Sequence, residues 1–366
     1  MASDDEGRVV LGLRDFAARD YNEHVGARVE VVSVRPDQSA RLSDRTGETR
    51  AHLVTSAEVP KPFAASCKRI DGKACADQFL SEVRVQIEAQ AADGLPPPKL
   101  AIVLVGDNPA SKSYIKHKEK AAELCGVVAQ VYSEAATISE AELLTLVRAL
   151  NADNAVHGII VQLPLPPHID ANTVTGAVAH AKDVDGFTAK SVGSVATHGC
   201  EPFFCPCTPK GCLRLLKHVG VPLRGKEAVV IGASNLVGTP MSLLLLREGA
   251  TVTTCHIETV DVAAHARRAD ILVVAAGSAE LVQPEWVKPG AVVIDVGINF
   301  VADASKKSGQ RMVGDVASGV AAIAGHLTPV PGGVGPMTIA MLMENVLAAA
   351  TAARVGSAGM AATPFA

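Results

Sequence analysis

From residue 66 onward, short apolar runs alternate with longer stretches whose apolar residues recur every three or four positions. The runs at 100–105, 127–132 and 158–162 are brief and rich in Val, Ile and Leu, which predicts buried strands. Between and before them, residues 73–92, 113–124 and 139–150 carry the helical period. Asp93-Gly94 and the prolines that follow stop the first of these helices, and Gly126 stops the second. A second alternation comes later, with strands at 228–231, 251–255, 271–275 and 292–296 and helices at 240–248 and 260–268. Strands that alternate with helices imply parallel sheets covered by helices. The chain is therefore of the α/β class, in two domains, the later one Rossmann-like. Residues 338–353 are apolar on most sides, which predicts a buried helix packed back on the first domain.

Residues 1–62 break this pattern, with many Arg, Asp and Glu and only one strand-like run, at 28–34. We expect an extension there, disordered in part, ending near Lys61-Pro62. The domains expected are then 63–207 completed by the helix 338–355, 208–337 for the Rossmann-like unit, and a flexible tail at 356–366.

A length of 366 residues suits two domains of ordinary size. The net charge of -4, with both signs interspersed, argues against a general nucleic-acid binder, which needs a basic face. No run reaches the ~18 consecutive apolar residues of a membrane span. The acidic start, Met1-Ala2-Ser3-Asp4-Asp5-Glu6, resembles neither a secretory signal nor a transit peptide, so a cytoplasmic location is expected. Four of the eight cysteines cluster, Cys200, Cys205, Cys207 and Cys212, without the C-x2-C knuckles of common zinc sites. They read as small apolar fillers, and no metal is expected.

Candidate chemistry lies in six places. After the strand at 228–231 comes Gly232-Ala233-Ser234-Asn235-Leu236-Val237-Gly238-Thr239-Pro240. Gly232 permits the tight turn, Ser234 is small and adds a hydroxyl, and Gly238 lets the next helix approach the strand, so that its N-terminus faces a diphosphate. The following strand ends at His256-Ile257-Glu258, where a carboxylate would favour NAD and a basic group NADP; both kinds are present. Tyr114 and Lys118 are four apart and share a helical face, although a surface lysine beside a packing tyrosine is the commoner meaning of such a pair. Gln162 ends an apolar strand at the carboxyl edge, where α/β sheets bind ligands. Lys182-Asp183-Val184-Asp185-Gly186 reads as a charged turn, and residues 328–337 as a Pro/Gly run that bares its backbone or serves as a linker.

Taken together and in this order, Tyr114-x-x-x-Lys118, Gln162-Leu163-Pro164-Leu165-Pro166, Lys182-Asp183-Val184-Asp185-Gly186, the Gly232 loop and Thr328-Pro329-Val330-Pro331-Gly332-Gly333-Val334-Gly335-Pro336 resemble the bifunctional methylenetetrahydrofolate dehydrogenase/cyclohydrolase family over residues 66–353. The resemblance implies an active-site cleft between a catalytic folate domain and the dinucleotide domain. It implies oxidation of 5,10-methylenetetrahydrofolate with NADP, NAD being the alternative, then hydrolysis to 10-formyltetrahydrofolate in a homodimer. In this family Tyr114 stacks on the folate, Lys118 is the central catalytic group, Gln162 holds it, and Asp185 accepts hydrogen bonds from the pterin. Val161, Leu163, Pro331, Gly332 and Gly335 line the folate site. Gly232, Ala233, Ser234, Val237, Gly238, His256, Ile257 and Ile298 are assigned to the cofactor, with Ile298 beside the nicotinamide. Ala233 and Ile257 stand where some members place a basic or hydroxylated phosphate contact, a departure that bears on NADP against NAD.

Overall fold

The first three helices begin where a side chain can accept the amide hydrogens that the first turn leaves free. The computed structural model describes residues 67–306 and 309–355, with four short strands inside residues 1–60. Helix α1 (Gly72–Ala92) is capped by Asp71, which accepts from the Ala74 amide. Helix α2 (Pro109–Cys125) is capped by Asn108, with Pro109 in its first turn and Gly126 closing it at φ 84°. The periodicity placed this start four residues later, because Asn108-Pro109 marks a helix by capping chemistry and not by apolar spacing. Helix α3 (Glu140–Ala152) opens with a capping box in which Ser139 and Glu142 satisfy each other's backbone.

These helices cover a three-stranded parallel sheet. Its central strand β2 (Lys99–Val105) lies between β3 (Val128–Glu134) and β4 (Gly158–Val161), with Leu100 opposite both Ala129 and Gly158. All four residues of β4 are buried, as expected of a strand covered on both faces. Helix α4 (Ala189–Ala196) and helix α5 (Cys207–His218) lead into the second lobe.

The second sheet has six parallel strands. They are β5 (Glu227–Ile231), β6 (Thr251–Cys255), β7 (Ile271–Val274), β8 (Val292–Asp295), the two-residue β11 (His326–Leu327) and β1 (Lys68–Arg69), in the order β6-β5-β7-β8-β11-β1. Helix α6 (Gly238–Arg247) follows β5, and a hairpin of β9 (Asn299–Ala302) and β10 (Gln310–Val313) follows β8. Strand β1 was not foreseen. It precedes the first lobe yet pairs with β11, at the far edge of the second lobe's sheet.

The last helix, α7 (Val334–Val355), packs against α1 and α5. Val334–Arg354 is long and apolar enough to cross a membrane by length and composition. Here that apolar surface, including Met337, Met341, Leu342 and Val346, is buried in the core shared with α1 and α5. Within residues 1–60, Ala2–Ser3 pairs antiparallel with Val9–Val10, and Arg41–Asp44 with Gly47–Arg50. The strand expected at 28–34 and the tail at 356–366 lie outside the described residues.

Candidate active site

Lys118 sits in the middle of α2 and is only 6% exposed, so the surface-lysine meaning of the Tyr-x-x-x-Lys pair does not hold here. Its ammonium lies 5.3 Å from the centre of the Tyr114 ring, one turn earlier. It donates to Gln162 Oε1 at 3.1 Å. Gln162 is held in turn. Its backbone N–H donates to Val103 O, and its Nε2 donates to Leu163 O at 2.8 Å, which fixes the carboxamide with its oxygen towards the lysine. Burial pushes the Tyr114 phenol up to about 12, with the Asp185 carboxylate adding to the effect. Tyr114 therefore remains a protonated donor at physiological pH.

The two carboxylates of Asp183-Val184-Asp185 have different work. Asp183 is buried and accepts from the Phe187 and Thr188 amides and from the Ser191 hydroxyl at 2.6 Å, anchoring the start of α4. Gly186, at φ 73°, closes the turn where a Cβ would lie 2.6 Å from the Pro206 nitrogen. Asp185 is left facing the cleft. Burial raises its carboxyl to about 6; Lys118 pulls it back down and Asp183 pushes it up. Replacing Asp183 with Ala strips three hydrogen bonds from a buried turn, and should cost about 3 kcal/mol, read as a lower urea midpoint.

Tyr114, Lys118, Val161, Gln162, Leu163 and Asp185 thus line one cleft. Phe187, Cys207, Thr208, Leu236, Thr338 and Leu342 complete its wall and were missed from the sequence. Thr208 and Thr338 share a hydrogen bond of 3.0 Å across α5 and α7, a pairing that only the tertiary fold creates. Leu236 could have been noticed as an apolar residue, 38% exposed, within the glycine loop. Pro331, Gly332 and Gly335 are not among the lining residues. Their segment is no bare linker: the Lys73 amide donates to Gly332 O, and a Cβ on Gly72 would fall 1.9 Å from Gly333 O.

On the opposite side, Gly232 has φ 113°, and a Cβ there would meet Ala275 O at 2.1 Å. A Cβ on Gly238 would meet Gly232 O at 1.9 Å. Both positions therefore require glycine. Ser234 Oγ accepts from the Val237 amide at 3.2 Å and lies 3.5 Å from the Gly238 amide. Ala233 is exposed, and Val237 is the residue before α6. His256 and Ile257 follow β6; the His256 amide donates to Thr259 Oγ1, and Ile257 is 97% exposed. Ile298 is half-exposed at the carboxyl end of the sheet, not core. Among the described residues no cluster of His, Cys, Asp and Glu could hold a metal, and the eight cysteines are free.

A glycine-looped Rossmann sheet beside a largely apolar cleft that carries Lys118, Gln162 and Asp185 in a second α/β lobe is the architecture of a two-domain nicotinamide-dependent dehydrogenase. Residues 70–185 match the tetrahydrofolate dehydrogenase/cyclohydrolase catalytic domain, and residues 206–354 match the NAD(P)-binding domain of the same family. The chain belongs to the tetrahydrofolate dehydrogenase/cyclohydrolase family. It is 49% identical to the bifunctional protein FolD 2 of Arabidopsis thaliana, over 77% of this chain and 95% of that one. Among solved structures it is similar to the bifunctional FolD enzyme of Campylobacter jejuni, at 45% identity and TM-score 0.73, over 78% of this chain and 99% of that one. The Trypanosoma brucei FolD enzyme, solved with NADP cofactor and an inhibitor, matches at 39% identity and TM-score 0.75, over 79% and 98%.

Proposed function

We propose that this chain oxidises 5,10-methylenetetrahydrofolate with NADP and hydrolyses the methenyl product to 10-formyltetrahydrofolate in the same cleft. The observation that supports this most is the convergence of Lys118, Gln162 and Asp185 on one cavity, with Leu236 of the cofactor loop in its wall.

The residues around Gly232 fit a dinucleotide. The two obligate glycines leave room for phosphates, and a Ser234 hydroxyl that accepts a backbone N–H keeps its hydrogen to donate to a phosphate oxygen. Bound there, NADP supplies the acceptor for the hydride removed from the methylene carbon. Asp185 accepts two parallel hydrogen bonds from the pterin amino group and ring N–H, and Tyr114 stacks on the folate. The methenyl product is a cation. Lys118, buried beside it with Gln162 Oε1 fixing its nitrogen, is the general base for the attacking water. Lys118 takes one proton as the water oxygen bonds to the methenyl carbon. The carbonyl forms as the remaining hydroxyl proton departs, and the bond from that carbon to N5 breaks. N5 gains a proton, and one proton is released overall. Gln162 Oε1 orients the amine throughout.

Asp185 must be ionised to accept both donors. We expect kcat/KM for the folate to rise about tenfold per pH unit below about 6 and to level off above it, as a pH profile of initial rates would show.

The decisive assay gives the purified protein methylenetetrahydrofolate with NADP or NAD and follows reduced cofactor and methenyl absorbance together. No reduction with either nucleotide would overturn the reading. NAD preference is a second reading. It is supported by the turn His256-Ile257-Glu258, which offers a carboxylate and an exposed apolar side chain but no Lys or Arg. A homodimer goes with the family resemblance, and the sheet edge at β3 leaves one side of that strand without a partner in this sheet; sedimentation would test it. A cytoplasmic location accords with eight free thiols, the state a reducing compartment maintains.

A further inference from the structure

Two carboxylates of the second lobe take no part in the chemistry above, yet both are buried at the carboxyl end of its sheet. Asp315 is 0% exposed and Asp295 is 4% exposed. Asp315 Oδ2 accepts from the Ala276 amide at 2.7 Å and from the Gly277 amide at 2.9 Å. These residues follow β7, and the adjoining Ala275 carbonyl is the atom that Gly232 approaches. Asp315 Oδ1 accepts from Asn299 Nδ2 at 2.8 Å, directly after Ile298.

Asp295 completes the frame. Its Oδ1 accepts from the Gly297 amide at 3.0 Å and the Asp315 amide at 2.9 Å, and its Oδ2 accepts from the Val316 amide at 3.1 Å. Burial pushes its carboxyl up to about 7, against these three donors, which favour the ionised form. The Asp295 amide donates to Thr328 Oγ1 at 2.7 Å, at the head of the Pro/Gly segment. The backbone is shaped to admit both carboxylates. A Cβ on Gly297 would lie 2.3 Å from Asp315 Cγ, and one on Gly314 would lie 1.7 Å from Asp295 Oδ2.

We infer that Asp315, braced by Asp295, is a positioning residue for hydride transfer: it locks the segment 297–299, which carries Ile298, to the segment 275–277 behind the cofactor loop, and so sets where the nicotinamide ring lies. The inference rests on the proposed function. The hydrolysis step needs no nucleotide, so it reports separately on the first lobe and on the integrity of the fold.

The test uses Asp315→Asn in the full chain. The new carboxamide can still accept the two backbone amides, but its NH2 then meets the NH2 of Asn299. Dehydrogenase kcat should fall roughly 10- to 100-fold, the scale of a small misplacement of reacting groups. NADP affinity by calorimetry should weaken by about tenfold, while cyclohydrolase activity without NADP stays within about twofold of the parent. The double variant Asp315→Asn with Asn299→Asp restores a donor opposite an acceptor and should recover most of the dehydrogenase rate. Should Asp315→Asn not fold, Asn299→Ala removes only the amide contact and should show the same split on a smaller scale. Equal loss of both activities, no change in either, or no recovery in the double variant would overturn the inference. A parent protein without any folate activity would instead remove the functional reading on which it stands.

Discussion

Lys118→Met should remove cyclohydrolase activity, by at least about 1000-fold, within the range a general base contributes. The thioether fills the space beside Tyr114 and Gln162 but holds no proton. Methenyltetrahydrofolate supplied directly should persist, and its absorbance decay should match the uncatalysed rate in buffer. Gln162 would lose the donor now at 3.1 Å, but its Nε2 remains bound to Leu163 O, so the cleft keeps its outline. The Gly232 loop, where the nucleotide is proposed to bind, lies in the other lobe, and NADP affinity by calorimetry should be unchanged. Full hydrolysis in this variant would take Lys118 out of the reaction.

Asp185→Asn should act differently and lower both activities together. In the proposed binding of the pterin, one acceptor oxygen remains, but the second becomes an NH2 where a pterin N–H is to be received. Losing one partner of a desolvated, charge-assisted pair costs about 3 kcal/mol, or roughly 100-fold in kcat/KM for each reaction. The rise in kcat/KM near pH 6 should vanish at the same time, since the group responsible no longer titrates. A variant that kept the pH profile while losing rate would place the titration on another group.

Most strands and helices of the two lobes were legible because their cores are assembled from uniform apolar runs, such as residues 100–105 and 228–231, separated by helical periods, whereas α4, α5 and the two-residue β11 were not read. Strand β1 was not, because two charged residues, Lys68 and Arg69, carry no β signal; their pairing is set by β11, more than 250 residues away. The hairpin of β9 and β10 escaped for a related reason, being half-exposed and flanked by polar turns. In the candidate site, residues with unusual chemistry at strand ends or on helix faces were found: Lys118, Gln162 and Asp185. Residues that reach the cleft only through packing were not. Thr338 and Leu342 lie on a helix whose apolar pattern advertises core, and Cys207 looked like a filler. Asp295 and Asp315 were overlooked because a buried carboxylate in a Val-rich strand end is distinguished from a surface one only by its partners.

The pairing of β1 with β11 places two chain crossings side by side. The stretch after β1 enters α1, and the stretch after β11 enters the Pro/Gly segment and α7, the two being stitched together by the bond from the Lys73 amide to Gly332 O. Neither lobe is consequently a severable module. A fragment beginning at residue 206 would bare the flank of β11 and strip α7 of its α1 neighbour, whereas one ending at residue 185 would lack the helix that roofs its own sheet. Such an interlaced thread favours point changes over shuffling, and evolution would find it easier to retune this enzyme than to exchange half of it.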